Sequence, residues 1–154
     1  MIPAAWRIRT AGDADVARLR DWAVAMARET EDKALDPATV EAGIRAVLAE
    51  PRRGAYLVAE RDGEPAGTLM LTYEWSDWRN GDWWWIQSVY VDPAHRRQGG
   101  YAALYRHVHE RAAREPGVCG LRLYVERDNA VAQRTYENLG MVDAGYRMYE
   151  APTR

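Results

Sequence analysis

Between Val89 and Val108 the chain reads VYVDPAHRRQGGYAALYRHV. Two arginines, Arg96 and Arg97, precede Gln98 and the pair Gly99 and Gly100, and an Ala- and Leu-rich run follows. If a helix opens at the second glycine, its first amides have no intrahelical acceptor and carry a partial positive charge. The glycines let backbone come close to a ligand, so the amides of Gln98, Gly99, Gly100, Tyr101 and Ala102 can converge on one point. The arginines add charge. That combination suits a phosphate or pyrophosphate. The same residues also suit a flexible loop whose arginines face water. The stretch is neither G-x-G-x-x-G nor a Walker loop ending in Gly-Lys-Ser/Thr, so by those two routes it is not a site for NAD or a nucleoside triphosphate.

The other reactive side chains give weaker signals. His107 and His109 are two apart on a helical run and do not share a face. His95 lies beside the candidate anion site. No grouping with metal-ligand spacing is visible, and no metal is expected. Cys119, in PGVCGL, has no partner for nucleophilic chemistry and reads as structural.

The elements that would position these residues follow from periodicity. AWRIRT alternates as a first strand. Asp13 can cap a helix from about residue 14 to 27, with Val16, Leu19, Ala23 and Met26 as its apolar stripe. Asp36 can cap a second helix with Pro37 at its first position and Val40, Ile44 and Val47 buried. AYLVAE and AGTLMLTYEW form a hairpin across Asp62-Gly63. WWWIQSVYV is a long strand. A helix runs from about Gly100 to Arg114, with Tyr101, Leu104, Tyr105, Val108 and Ala112 on one face. GLRLYVE is a further strand, NAVAQRTYENLG a short helix ended by Gly140, and MVDAGYRMYE a closing strand. The strand–helix–strand piece from Trp83 to Glu126 demands a parallel pair with a right-handed crossover. The expected fold is α/β (α+β): a mixed, mostly antiparallel sheet of about six to seven strands with helices on both faces.

A chain of 154 residues fits one domain with a real core, here expected to span 1–154. A formal net charge of −2 argues against a general nucleic-acid binder, whose affinity rests on a basic surface. No apolar run is long enough for a bilayer, and MIPAAWRIRT carries no apolar signal region, so no membrane association is expected. Cys119 is the sole cysteine, which excludes an intrachain disulfide and a cysteine-based metal cluster. A reducing cytoplasm is the default location. The chain has seven tryptophans and no phenylalanine, and five of the tryptophans fall between Trp75 and Trp85.

The stretch from Val89 resembles the acyl-CoA-binding motif of the GCN5-related N-acetyltransferases (GNAT): a strand ending in Val-x-Pro, then Arg/Gln-x-x-Gly-x-Gly/Ala opening a helix. Val91, Pro93, Arg96 and Gly99 match it. NAVAQRTYENLGM resembles the family's later motif, and Asn129, Ala132, Tyr136 and Gly140 fall at its positions. Two motifs in the right order, with a matching order of elements from near residue 6 to 150, carry far more weight than either alone. Two positions depart: the last Gly/Ala of the first motif is Tyr101, and the strand position where many members carry a glutamate is Gln87, which cannot act as a base.

The resemblance implies a GNAT fold with splayed cofactor-binding strands and acetyl-CoA as co-substrate. It places the pantetheine arm against Val89, Tyr90 and Val91 and the pyrophosphate on the amides from Gln98 to Ala102. Asn129 falls in the cofactor-binding set, although an asparagine there also orients the start of a helix. The resemblance implies direct attack by a primary amine, small-molecule or peptide, with Tyr136 as proton donor to the departing sulfur. Glu74, at the end of a strand, is the candidate base or water holder, and is equally a solvated strand-end carboxylate. Glu29 and Glu31, with Gln87 and tryptophans such as Trp75 and Trp85, suggest an amine pocket. The tryptophans equally suit a sheet edge or a dimer contact, and pairing of two copies is compatible with the family. A catalytically weak acyl-CoA sensor is the second reading, and a sugar- or aromatic-ligand module the third.

Overall fold

The computed structural model describes residues 5–154. Residues 1–4, the start of the stretch expected to carry no signal, lie outside it. The chain divides into two compact units, one ending at Leu123 and one spanning Tyr124–Arg154.

The first unit is a five-stranded sheet in the order β1-β2-β3-β4-β5. Its strands are β1 (Trp6–Thr10), β2 (Ala55–Arg61), β3 (Glu64–Ser76), β4 (Gly81–Val91) and β5 (Val118–Arg122). The first three pairings are antiparallel and β4–β5 is parallel. Helices α1 (Val16–Glu31) and α2 (Pro37–Ala49) separate β1 from β2, and α3 (Gly100–Arg114) makes the crossover from β4 to β5. Asp62 and Gly63 both adopt positive φ (52° and 82°), the geometry a two-residue hairpin needs to match strand twist.

Period-two alternation sorts the core onto two faces. Val58 and Tyr90 pack with Val16, Leu19 and Trp22 of α1 and Ile44 of α2. Their neighbours Leu57, Ala59, Leu69, Leu71 and Ile86 pack with Leu104 and Val108 of α3. Helices therefore cover both faces. Asp36 caps α2 as expected, accepting from the Thr39 amide at 3.2 Å. The start of α1 differs from expectation. Asp13 opens a short 3-10 turn instead, and the buried Asp15 carboxylate accepts from the Gly12 amide and from both Nη atoms of Arg9, each at 2.8 Å. An ion pair across to β1 outcompetes the local cap, and α1 runs on to Glu31, four residues beyond the expected end.

One irregularity bears on function. Between Thr68 and Met70 of β3, β4 advances from Tyr90 to Gln87, so β4 carries one extra residue. Ser88 within that bulge has φ 49°. The extra residue inverts the alternation, so that Val89 joins Ile86 on the α3 face and Tyr90 turns to the α1 face.

The second unit holds α4 (Ala130–Asn138), capped by Asn129, whose side-chain oxygen accepts from the Ala132 amide at 3.1 Å. Gly140 follows at φ 96°, as its position past a helix end demands. The expected strand over MVDAGYRMYE does not form. Gly145 sits at φ 78° and its amide donates to Asp143 Oδ1 at 2.8 Å, a turn that interrupts the extended run. Nor does the strand expected over GLRLYVE reach Glu126, since β5 ends at Arg122. The missing closing strand leaves the sheet with five strands rather than six to seven, and β5 is merely shorter than expected. No described helix is long and apolar enough to cross a membrane.

Candidate active site

β4 runs from Gly81 to Val91, but its pairing with β5 covers only Asp82–Trp85. From Ile86 onward the edge of β4 that faces away from β3 has no strand partner among the described residues. Its other edge stays occupied, since Gln87, Tyr90 and Val91 sit opposite Met70, Thr68 and Gly67. Gly67 permits this closeness: a Cβ there would lie 2.9 Å from the Tyr90 carbonyl oxygen. The two parallel strands therefore separate just where β4 bulges. An unpaired edge offers alternating amides and carbonyls to an extended ligand, as it would to an added strand.

The edge leads into the motif loop. Asp92 caps a short 3-10 turn over Pro93–His95, after which Arg97 (φ 63°) and Gly99 (φ 86°) both adopt left-handed backbone. α3 then starts at Gly100. Gly99 has no side chain to cap this helix start, and first-turn amides find no acceptor within their own helix. Gln98 is held by residues the sequence did not mark. Its carbonyl accepts from Trp6 Nε1 at 2.9 Å and from Arg61 Nη1 at 3.1 Å, and Arg61 also stacks on the Trp6 ring. The indole lies against Gly100, where a Cβ would sit 2.8 Å from it. Loop conformation is thus set from β1 and β2.

The two arginines of the motif do different things. Arg97 is exposed. Arg96 turns toward α1: its Nε donates to the Val91 carbonyl at 2.9 Å, its Nη2 to Glu29 Oε2 at 2.8 Å, and its guanidinium lies over the Tyr90 ring. Tyr90 Oη donates to the other Glu29 oxygen at 3.1 Å. The Arg96 hydrogen bond holds the Glu29 carboxyl below the usual range. Burial, then the Glu29 contact, pushes the Tyr90 phenol up.

Glu29 and Glu31 accordingly part company. Glu29 joins the cofactor motif, while Glu31 faces Lys33 at 3.4 Å. Glu74 meets Trp85: its Oε1 accepts from the indole Nε1 at 3.0 Å and from Arg122 Nη1 at 2.9 Å. Arg122 stacks on Trp83, 4.0 Å from the ring centre. Gln87 donates to Thr72 Oγ1 at 2.6 Å. Trp75 and Trp78 are largely exposed, and Trp84 packs with Tyr73 on the α3 side. The five tryptophans therefore do not form one cage. A small cleft opens on the α1/α2 face beside the bulge, lined by Trp22, Met26, Tyr56, Thr68, Ser88 and Tyr90. Sequence reasoning missed it, because an extra residue in a continuous β-favouring run leaves no compositional mark.

Tyr136 lies on α4 and is half-buried, and Asn129 caps that helix. Among the described residues no three His, Cys, Asp or Glu side chains are grouped to hold a metal ion.

A mixed sheet whose β4 edge opens beside a helix start without a side-chain cap is an α/β scaffold suited to an extended, anionic ligand. The model of the acetyltransferase (GNAT) family matches residues 16–141, and the chain belongs to that family. It is similar to a possible acetyltransferase from Clostridium difficile 630, with 39% identity and a TM-score of 0.92 over 97% of this chain and 98% of that one. It is also 32% identical to the mycothiol acetyltransferase of Mycobacterium sp. strain JLS across 72% of this chain, and spans 45% of that relative's length. A protein from Clostridium acetobutylicum described as a predicted acetyltransferase, solved with acetyl-CoA, shares the fold at a TM-score of 0.77 and 15% identity, over 96% of each chain.

Proposed function

We propose that this protein is an N-acetyltransferase that moves an acetyl group from acetyl-CoA to a primary amine by direct attack. The observation that carries the reading is the open β4 edge beyond Trp85, continuous with a helix start that has no capping side chain. That pair of features fits a ligand with an extended amide-bearing arm and a pyrophosphate. It is the shape of acetyl-CoA, the molecule with which the C. acetobutylicum relative was solved.

When bound, acetyl-CoA supplies the acyl group as a thioester. Val89 and Val91 present backbone groups to the arm, and the amides of Gln98 to Ala102 take the pyrophosphate. Arg97 adds charge at the loop. An amide near Val89, turned by the bulge, stabilises the oxyanion. Tyr136 serves as general acid to the departing sulfur, a role typically worth ~10²–10⁴-fold. Asn129 acts through the start of α4. Glu74, tied to Trp85 and Arg122, holds water or the incoming amine, with Trp75 flanking the approach. Gln87 orients rather than titrates. Work in a reducing cytoplasm suits the single free thiol, Cys119. Pairing of two copies is compatible with this reading.

The test is release of free CoA thiol from acetyl-CoA across a panel of small and peptide amines, with Tyr136→Phe alongside. Turnover should fall by roughly a hundred- to ten-thousandfold in the variant while acetyl-CoA affinity holds. The second reading, an acyl-CoA sensor, rests on Gln87, whose amide is engaged with Thr72. CoA binding without turnover on any amine would favour it.

A further inference from the structure

Glu29 lies in the last turn of α1, yet its partners are on β4 and in the loop before α3. Each carboxylate oxygen has its own donor, Tyr90 Oη for one and Arg96 Nη2 for the other. Arg96 is held three ways, by Glu29, by the Val91 carbonyl and by the face of Tyr90. Its guanidinium is therefore directed at the protein's own carboxylate, carbonyl and ring. A charge already neutralised by a carboxylate 2.8 Å away adds little to a distant anion. The same satisfaction argues that Glu29 is not waiting for an ammonium group, since an amine would first have to displace an arginine.

We infer that Glu29 is a positioning residue for the cofactor: through Arg96 it fixes the exit of β4 and the loop that presents the α3 amides. The inference rests on the acetyl-CoA reading above. It assigns the charge of Arg96 to geometry rather than to phosphate contact, and it moves Glu29 from the acceptor to the cofactor. Arg96 bridges the residue where the open edge ends, Val91, to α1, the helix that covers the bulge and its cleft. Arg97 and the backbone amides are left to meet the anion.

The experiment measures CoA affinity by calorimetry, and acetyl-CoA and amine KM with the fastest acceptor of the panel. The proteins are wild type, Glu29→Gln, Arg96→Ala and the double variant, each with its thermal midpoint. Glu29→Gln keeps the side chain's size and loses its charge. The expected result is a roughly three- to tenfold rise in CoA Kd and acetyl-CoA KM, the scale of a networked charged hydrogen bond at a half-exposed site. Amine KM and thermal midpoint should stay put. The double variant should match Arg96→Ala alone, because Glu29 acts through that side chain. A rise in amine KM with CoA Kd unchanged would overturn the inference, as would no change in either or additive effects in the double variant. Wild-type protein that fails to bind CoA would sink the functional reading as well, whereas normal wild-type binding with an unaltered Glu29→Gln sinks the inference alone.

Discussion

Gly100→Ala tests whether β1 sets the shape of the anion seat. The new Cβ would lie 2.8 Å from Trp6 Cη2 and 3.0 Å from Cζ2. Carbon atoms settle at ~3.5–4.0 Å, so the indole must retreat by roughly 0.7 Å or the loop must shift. The ring is not free to do so. Its Nε1 donates to the Gln98 carbonyl at 2.9 Å, and Arg61 stacks on it while donating to the same carbonyl. Overpacking of this kind costs about 1–3 kcal/mol. Alanine in place of glycine at a helical position returns ~0.5–1 kcal/mol. The net loss, up to about 2.5 kcal/mol, is shared between stability and ligand binding, according to whether ring or loop gives way. The ceiling on each is a fall in midpoint of about 5–10 °C and a rise in CoA Kd of roughly seventyfold. A Trp6→Leu background decides the cause. With the ring gone, Gly100→Ala should be neutral or mildly stabilising. If the two substitutions add to within ~0.5 kcal/mol, the indole does not limit this glycine and the reasoning fails.

Asp15→Asn should destabilise the fold by about 1.5–2 kcal/mol, the low end for hydrogen bonds to a charged group, because Glu60 remains 3.1 Å from Arg9 Nε. The Arg9 hydrogen bonds lower the Asp15 pKa. The native state therefore binds fewer protons here than the unfolded chain near pH ~4, and this stabilisation is full above that pH and lost as pH falls through the lowered native value. Urea titrations should show a constant gap between wild type and variant above about pH 5 that closes in stronger acid; a gap that widens on acidification refutes the sign. Ser88→Gly should leave the fold as stable or slightly better, since glycine adopts φ 49° freely, whereas Ser88→Val should cost about 1–2 kcal/mol. Equal thermal midpoints for the two variants would show that the bulge is not held in that conformation.

The sequence carried what depends on neighbours along the chain. Helix α3 starts at the expected Gly100 and ends at the expected Arg114, because apolar spacing and two glycines act locally. Asp36 and Asn129 cap as a side chain two or three residues away must. What it did not carry depends on partners far off. Asp15 rather than Asp13 anchors the start of α1 because Arg9 arrives from β1. MVDAGYRMYE has the alternation of a strand, but a strand needs a neighbour to pair with and Asp143-Gly145 turns instead. Trp6 could be read as a strand residue, but not as a wall for Gly100, since nothing local says which helix end it will meet.

The bulge connects these gaps to the site. A regular β4 would keep one alternation throughout, and Tyr90 would then share a face with Ile86 and point toward α3. The extra residue at Ser88 turns Tyr90 toward α1, within reach of Glu29. Glu29 in turn draws Arg96 over the Tyr90 ring. On the inference above, a motif arginine that reads as a phosphate ligand becomes a strut because β4 carries one extra residue between its pairings with Thr68 and Met70. The proposed anion seat then rests on a helix start without a side-chain cap. Substitutions that keep the amides, such as Tyr101 at the motif's last position, are compatible with it. The prediction that separates strut from ligand is the salt dependence of CoA binding. An arginine in contact with phosphate contributes to the slope of affinity against salt, so Arg97→Ala should flatten that slope, while Arg96→Ala should weaken binding and leave the slope as it is. A flattened slope for Arg96→Ala would return that side chain to the phosphate.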